Sequence, residues 1–426
     1  MLIRRDVFRG LSGLAVSPLF MHSLSAEAAN TTASDTIMVV INLAGGNDGL
    51  NTVIPLTKFS AYRTLRRPAT PPDASLTLDY TIPQLAATAF DPNPATPAAN
   101  ASQFAFAPSM TAMRDLYSTG KLAVLNGISL PLTELASLSH SDASRDWQTG
   151  LINTTLSTPP GWIGLALNGA TAGSLGATTS MSGGSPIVLQ NGVAQSLVLS
   201  PSIDNFNFSY GSSDNYTKLV QSFNHIMTLP TTDAATAYNL STLLGAKNAV
   251  TVVDKLARAN KVKDYPAPVT WIDDQLHDIA RMILGGAGVR GYYAEYGGFD
   301  THSQQALYQP QYLADISNAM QTFYTYLQAH GASANVVIAT ISDFGRRPGA
   351  NLNFGTDHGA GSVAFVLGDR VTGGVYGSYP SLTKFDVYGN LKMTVDFRNV
   401  ISDLIVAMGG NAKTILGQTY PKLGFI

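Results

Sequence analysis

The sequence predicts an α/β protein, a three-layer α/β/α sandwich built on a mostly parallel central sheet. Three observations carry this reading. Continuous apolar, β-branched runs of strand length recur along the chain, residues 36–43 (TIMVVINL) being the first; such runs are the form of strands buried on both faces. Segments with apolar residues at i, i+3, i+4 spacing lie between them, several closed by a nearby glycine. The two kinds alternate, as parallel strands joined by crossover helices require.

Taken in order, strands are expected at residues 36–43, 122–128, 291–296, 335–341 and 362–367. Helices are expected at 109–116, 271–284, 316–330 and 395–408, with a helical piece around 248–262. Residues 68–105, rich in Pro, Ala and Thr, read as a long surface excursion. Residues 159–270 differ from the rest. Glycine- and serine-rich turns and aromatic-polar stretches point to a cap-like insertion on the substrate side rather than a second core.

Composition narrows the function. The chain has 426 residues, of which 45% are hydrophobic, so a large core is available and general disorder is excluded. Charged residues make up 13%, roughly half the usual ~25%, and small polar residues cover the surface instead, a balance common in exported proteins. The net charge is −2 and no basic block occurs, so no nucleic-acid partner is expected. There is no cysteine. Disulfides, zinc–thiolate and iron–sulfur sites, cysteine nucleophiles and a formylglycine made from cysteine are all excluded.

Residues 1–29 read as an export signal: Arg4-Arg5 precede a mild apolar run that ends at Ala26-Glu27-Ala28-Ala29. Paired arginines before a weakly apolar segment resemble a twin-arginine signal, whose translocase carries folded cargo. A periplasmic or secreted protein is therefore expected, with residues 30–426 as one domain and no transmembrane segment in the mature chain.

In a parallel sheet the ligand crevice lies beyond the carboxyl ends of the strands. Polar motifs concentrate there. Gly45-Gly46-Asn47-Asp48-Gly49 follows the first strand, Gly298-Phe299-Asp300-Thr301-His302 follows the 291–296 strand, and Ser342-Asp343-Phe344-Gly345-Arg346-Arg347 ends the 335–341 strand. Asp357-His358-Gly359 precedes the 362–367 strand, and Ser139-His140-Ser141 opens a helix after the 122–128 strand. Carboxylates and imidazoles gathered from different strands point to a divalent metal, with Zn, Mn, Mg and Ca all open. Arg346 or Arg347 would clamp a phosphate or sulfate group. Ser139 and Ser141 are candidate nucleophiles, and His140 a candidate ligand or base. His22, His225, His277 and His330 lie in the signal or on ordinary helices and are read as structural.

With these segments in view, the chain resembles the exported bacterial proteins of domain-of-unknown-function family 1501, distant relatives of alkaline phosphatases and sulfatases. GGNDGLNTVIPL, SHSDASRDWQTG, GWIGLAL, GGFDTHSQQ and SDFGRRPGANLNFGTDHGAGSVAFVLG carry the resemblance, in that order, over nearly the whole mature chain. The resemblance implies an alkaline-phosphatase-like fold and a metal site held by Asp48, Asp300, His302, Asp343 and His358. It favours Ser139-His140 over Ser141 as the reactive pair. Where sulfatases carry His in Ser-Asp-His-Gly, this chain carries Phe344, so one ligand of that pattern is absent.

The expected function is an exported metal-dependent hydrolase of phosphate or sulfate esters, acting on a small anionic ester or a sulfated or phosphorylated glycan. Ser139, His140 and Arg346 would be its catalytic groups. The alternative is a non-catalytic exported binding or secretion-associated protein that keeps the fold and a partial site.

Overall fold

The computed structural model describes residues 35–67, 74–93, 103–131, 138–152, 154, 156, 159–168, 177–190, 196–199, 202–205, 214–227, 229–259 and 262–426. Residues 1–29, read from the sequence as an export signal, lie outside the described residues.

The first apolar run forms β1 (Ile37–Leu43) at the middle of the central sheet. Along it Val39, Ile41 and Leu43 enter one apolar cluster, while Met38 and Val40 enter another. Strand side chains alternate between faces, so two separate cores fed by one strand mean a sheet covered on both sides. On the first face lie α2 (Thr111–Ser118), α4 (Trp271–Leu284) and α5 (Gln305–Ala329), which contribute Met113, Leu276 and Phe323. On the second lie α3 (His140–Thr149) and α6 (Phe397–Ala407), which contribute Trp147 and Leu404. The three-layer sandwich expected from the sequence is the fold.

The sheet also contains β2 (Leu122–Ser129), β3 (Thr178–Ser180), β4 (Ser196–Val198), β5 (Gly291–Tyr296), β6 (Val336–Ser342), β9 (Ser362–Gly368), β10 (Gly374–Tyr376) and β11 (Val395–Asp396). Its order is β10-β2-β9-β6-β1-β5-β3-β4, with β11 pairing β2. All pairings are parallel except those of β9, which runs antiparallel to both β2 and β6. The exception has a local cause. A two-stranded hairpin of β7 (Gly345–Arg346) and β8 (His358–Gly359) lies between β6 and β9, so no crossover helix carries the chain back.

The described parts of residues 159–270, read as a cap-like insertion rather than a second core, join the main sheet and core. Thr178–Ser180 and Ser196–Val198 extend the central sheet beyond β5, and Trp162, Val188 and Leu189 are fully buried in the second core. A smaller antiparallel sheet packs beside the site end, with Phe104–Phe106 between Val53–Pro55 and Ala89–Phe90. Among the described residues, no helix is long and apolar enough to cross a membrane.

Candidate metal centre

Five segments meet at the carboxyl end of the sheet. The turns after β1, β5 and β6 arrive there because those strands are parallel. The antiparallel β9 begins where they end, so β8, just ahead of it, brings His358 to the same place. α3 begins there with His140, capped by the Ser139 hydroxyl. The turn after β1 needs glycine. Gly45 has φ +115°, and a Cβ on it would stand 2.4 Å from the backbone nitrogen of Asp300. Gly46 has φ +85°, and a Cβ on it would meet the Phe344 ring at 2.6 Å.

At the centre of the cluster is the Asp300 carboxylate. His302 Nε2 and His358 Nε2 each stand 3.2 Å from its Oδ1, and His140 Nε2 stands 3.5 Å from its Oδ2. The Nε2 atoms of His302 and His358 are 2.9 Å apart. The other nitrogen of each ring faces an oxygen. His140 Nδ1 donates to Asp343 Oδ2 at 2.7 Å, His302 Nδ1 to Asp357 Oδ1 at 3.2 Å, and His358 Nδ1 to the Leu138 carbonyl at 3.0 Å. A neutral imidazole that donates from Nδ1 has a bare lone pair on Nε2. His140 and His358 therefore converge on the Asp300 carboxylate, with His302 beside His358 and Asp300, an arrangement a cation neutralises. Ligand atoms about 2 Å from one tetrahedral zinc stand roughly 3.3 Å from each other, close to the 2.9–3.5 Å seen here. His140, Asp300 and His358 offer ligand atoms that lie within 4.8 Å of one another. Imidazole nitrogens with a carboxylate oxygen are a donor set that could hold a metal ion.

The protein tunes these groups electrostatically. Burial pushes the Asp300 carboxyl up, but the hydrogen bond and charge of Arg346, helped by His302 and His358, outweigh it and hold the group below its ordinary range. Burial also pushes His358 below the ordinary histidine value, which keeps it neutral and able to act as a ligand. Burial raises Asp343, against the lowering pull of His140 and the Gly45 N–H. The Asn351 hydrogen bond, with His302 beside it, holds Asp357 low.

Two expected site residues make other contacts than those expected. Asp48 is 1% exposed and accepts hydrogen bonds from Arg66 and Gln305, and from the backbone N–H of Leu50, where it caps α1 (Gly49–Thr52). Its carboxylate is thus neutralised inside the protein by a guanidinium that is itself fully buried. Arg346 does not face outward as an anion clamp. Its guanidinium is sealed, donating to the carbonyls of Gly45, Gly46, Phe299 and Thr356 and to Asp300 Oδ1 at 2.6 Å. It fixes Asp300 from behind.

Asp300, His302 and His358 come together as expected, and Asp343 reaches the cluster through His140. Ser139 does not touch the imidazoles in any described contact. Its hydroxyl lies 2.9 Å from Ser141 Oγ and accepts from the Asp142 N–H. Phe344 fills the floor, its ring centroid 4.7 Å from His140 and 4.4 Å from His358. Sequence reasoning missed Arg66 and Leu138. Arg66 sits in an ordinary amphipathic helix, Phe59–Arg66, with no motif around it. Leu138 acts through its backbone, which no residue type announces.

Residues 246–419 match the family model described as "Protein of unknown function (DUF1501)". No curated protein matches the sequence. Two similar solved structures are the crystal structure of Ps i-CgsB in complex with k-i-k-neocarrahexaose and that of the PsFucS1 sulfatase from Pseudoalteromonas sp.. The first is 8% identical with a TM-score of 0.38, covering 92% of this chain and 75% of its own. The second is 10% identical with a TM-score of 0.36, covering 96% of this chain and 72% of its own.

Proposed function

We propose that this chain, a member of the DUF1501 family through residues 246–419, is an exported metal-dependent hydrolase of phosphate or sulfate esters. The observation that carries the proposal is the 2.9 Å approach of the His302 and His358 Nε2 atoms beside Asp300 Oδ1. Two imidazole nitrogens and a carboxylate at that spacing are held either by a shared proton or by a cation, and a cation satisfies all three at once. Export rests on the Arg4-Arg5 segment.

His140, His302, His358 and Asp300 would hold the metal, and zinc suits them best. Such an ion supplies Lewis-acid polarisation of a phosphoryl or sulfuryl oxygen. The chain's own groups set the stage for it. Asp343 and Asp357 hold the imidazoles of His140 and His302 in one tautomer, and Arg346 keeps Asp300 ionised and aimed outward. Asp300 is 45% exposed and His140 38%, so an ester can reach the cluster from solvent. A small anionic ester or a sulfated or phosphorylated glycan would meet the divalent ion itself at this solvent-facing cluster.

One observation favours a second reading, a non-catalytic exported binding protein: Ser139, the expected nucleophile, is engaged in capping α3. Elemental analysis of the purified mature protein, with hydrolysis of aryl phosphate and aryl sulfate, separates the two. Bound metal with turnover supports the hydrolase. Bound metal without turnover on either ester selects the binding protein, and no bound metal removes both metal-based readings.

A further inference from the structure

We infer that Leu138 is a positioning residue, whose left-handed backbone aims its carbonyl at His358 Nδ1 and so fixes the His358 Nε2 lone pair toward the metal position. The inference rests on the metal-site reading above and adds a role for a residue that carries no reactive side chain.

Leu138 has φ +44°. Any residue with a Cβ disfavours that region, because Cβ crowds the following carbonyl. Among the described residues, the other non-glycine positions with positive φ are Gln304 and Phe354. Both also border the cluster. Gln304 precedes α5 two residues after His302, and the Phe354 carbonyl accepts from the Gln305 N–H. Strained backbone held by its surroundings tends to gather at functional sites, and here it gathers on the frame of one cluster.

The contact made by Leu138 is direct. Its carbonyl lies 3.0 Å from His358 Nδ1. The next residue, Ser139, caps the helix that starts with His140, so this single turn positions two of the three imidazoles. A glycine would adopt the turn more easily. Leucine provides something glycine lacks, a side chain packed against the second core beneath the sheet. That anchor holds the peptide in its disfavoured conformation, and with it the direction of the carbonyl. His358 differs in this from its neighbours, since His140 and His302 are held by carboxylates.

The test uses imidazole ¹⁵N shifts of the metal-free mature protein, together with zinc affinity by chelator competition. Wild type is expected to show His358 as one tautomer, protonated at Nδ1. Leu138→Gly removes the anchor and is expected to give a mixture of tautomers and to weaken zinc binding by about 10–100-fold, the usual effect of losing a partner behind a ligand. Leu138→Met keeps the anchor and should behave as wild type. A mixed or Nε2-protonated His358 in wild type overturns the inference without any variant. An unchanged single tautomer with unchanged affinity in Leu138→Gly overturns it as well. Because the tautomer is read without metal, failure of wild type to bind zinc would sink the hydrolase reading separately and leave the Leu138 result to be decided by the shifts.

Discussion

Arg346 donates to Asp300 Oδ1 at 2.6 Å from a fully buried position, so the charge that faces solvent at this site is the carboxylate and not the guanidinium. The pairing joins two motifs far apart in sequence, one after β5 and one after β6, and leaves a single carboxylate facing the imidazoles.

Removal of this arginine should therefore register first as lost stability. Arg346→Ala leaves four carbonyls and Asp300 without their donor, and the expected cost is about 3 kcal/mol or more in urea unfolding. Arg370 pairs with Asp35 at the surface, and its replacement by alanine should cost less than about 1 kcal/mol. Similar losses at the two positions would mean that Arg346 is not the buried anchor described.

Metal binding should stabilise the fold, since the ligands come from separate segments that only the folded chain assembles. Zinc at a hundredfold excess over its Kd adds about 2.7 kcal/mol, and a chelator should take that away and lower Tm. Asp300→Ala combined with His302→Ala should abolish both binding and the response to chelator. A wild-type Tm that chelation leaves unmoved counts against the site.

Asp343 accepts from both His140 Nδ1 and the Gly45 N–H through one oxygen. Asp343→Ala frees the His140 ring to turn, and zinc affinity should fall by about 10–100-fold. Competition against a chromophoric chelator measures this directly. Undiminished affinity would place His140 outside the ligand set.

Asp48 pairs with buried Arg66 and Gln305 rather than with the imidazoles. Asp48→Asn strands the buried Arg66 charge, which should cost about 3–5 kcal/mol in chemical unfolding. The folded fraction should still bind metal with wild-type stoichiometry, as native mass spectrometry can show. Loss of metal from folded Asp48→Asn protein would return Asp48 to the ligand set.

The sequence by itself determined the layered fold and named the residues of the candidate site. Strand runs such as Gly291–Tyr296 and the helix Trp271–Leu284 were legible to the residue, because burial on two faces or one face writes itself into apolar spacing. Asp300, His302 and His358 were legible too, because polar residues flanked by glycine at strand ends have few other uses. Only the tertiary structure decided what those groups do. Nothing in the chain around Asp48 says that Arg66 will neutralise it, nor that the Arg346 side chain will turn inward to Asp300. The antiparallel course of β9, which carries the preceding His358 to the site, was equally hidden. Local pattern records whether a residue is buried. Which charge meets which depends on contacts between segments far apart in sequence, and those exist only once the sheet has formed.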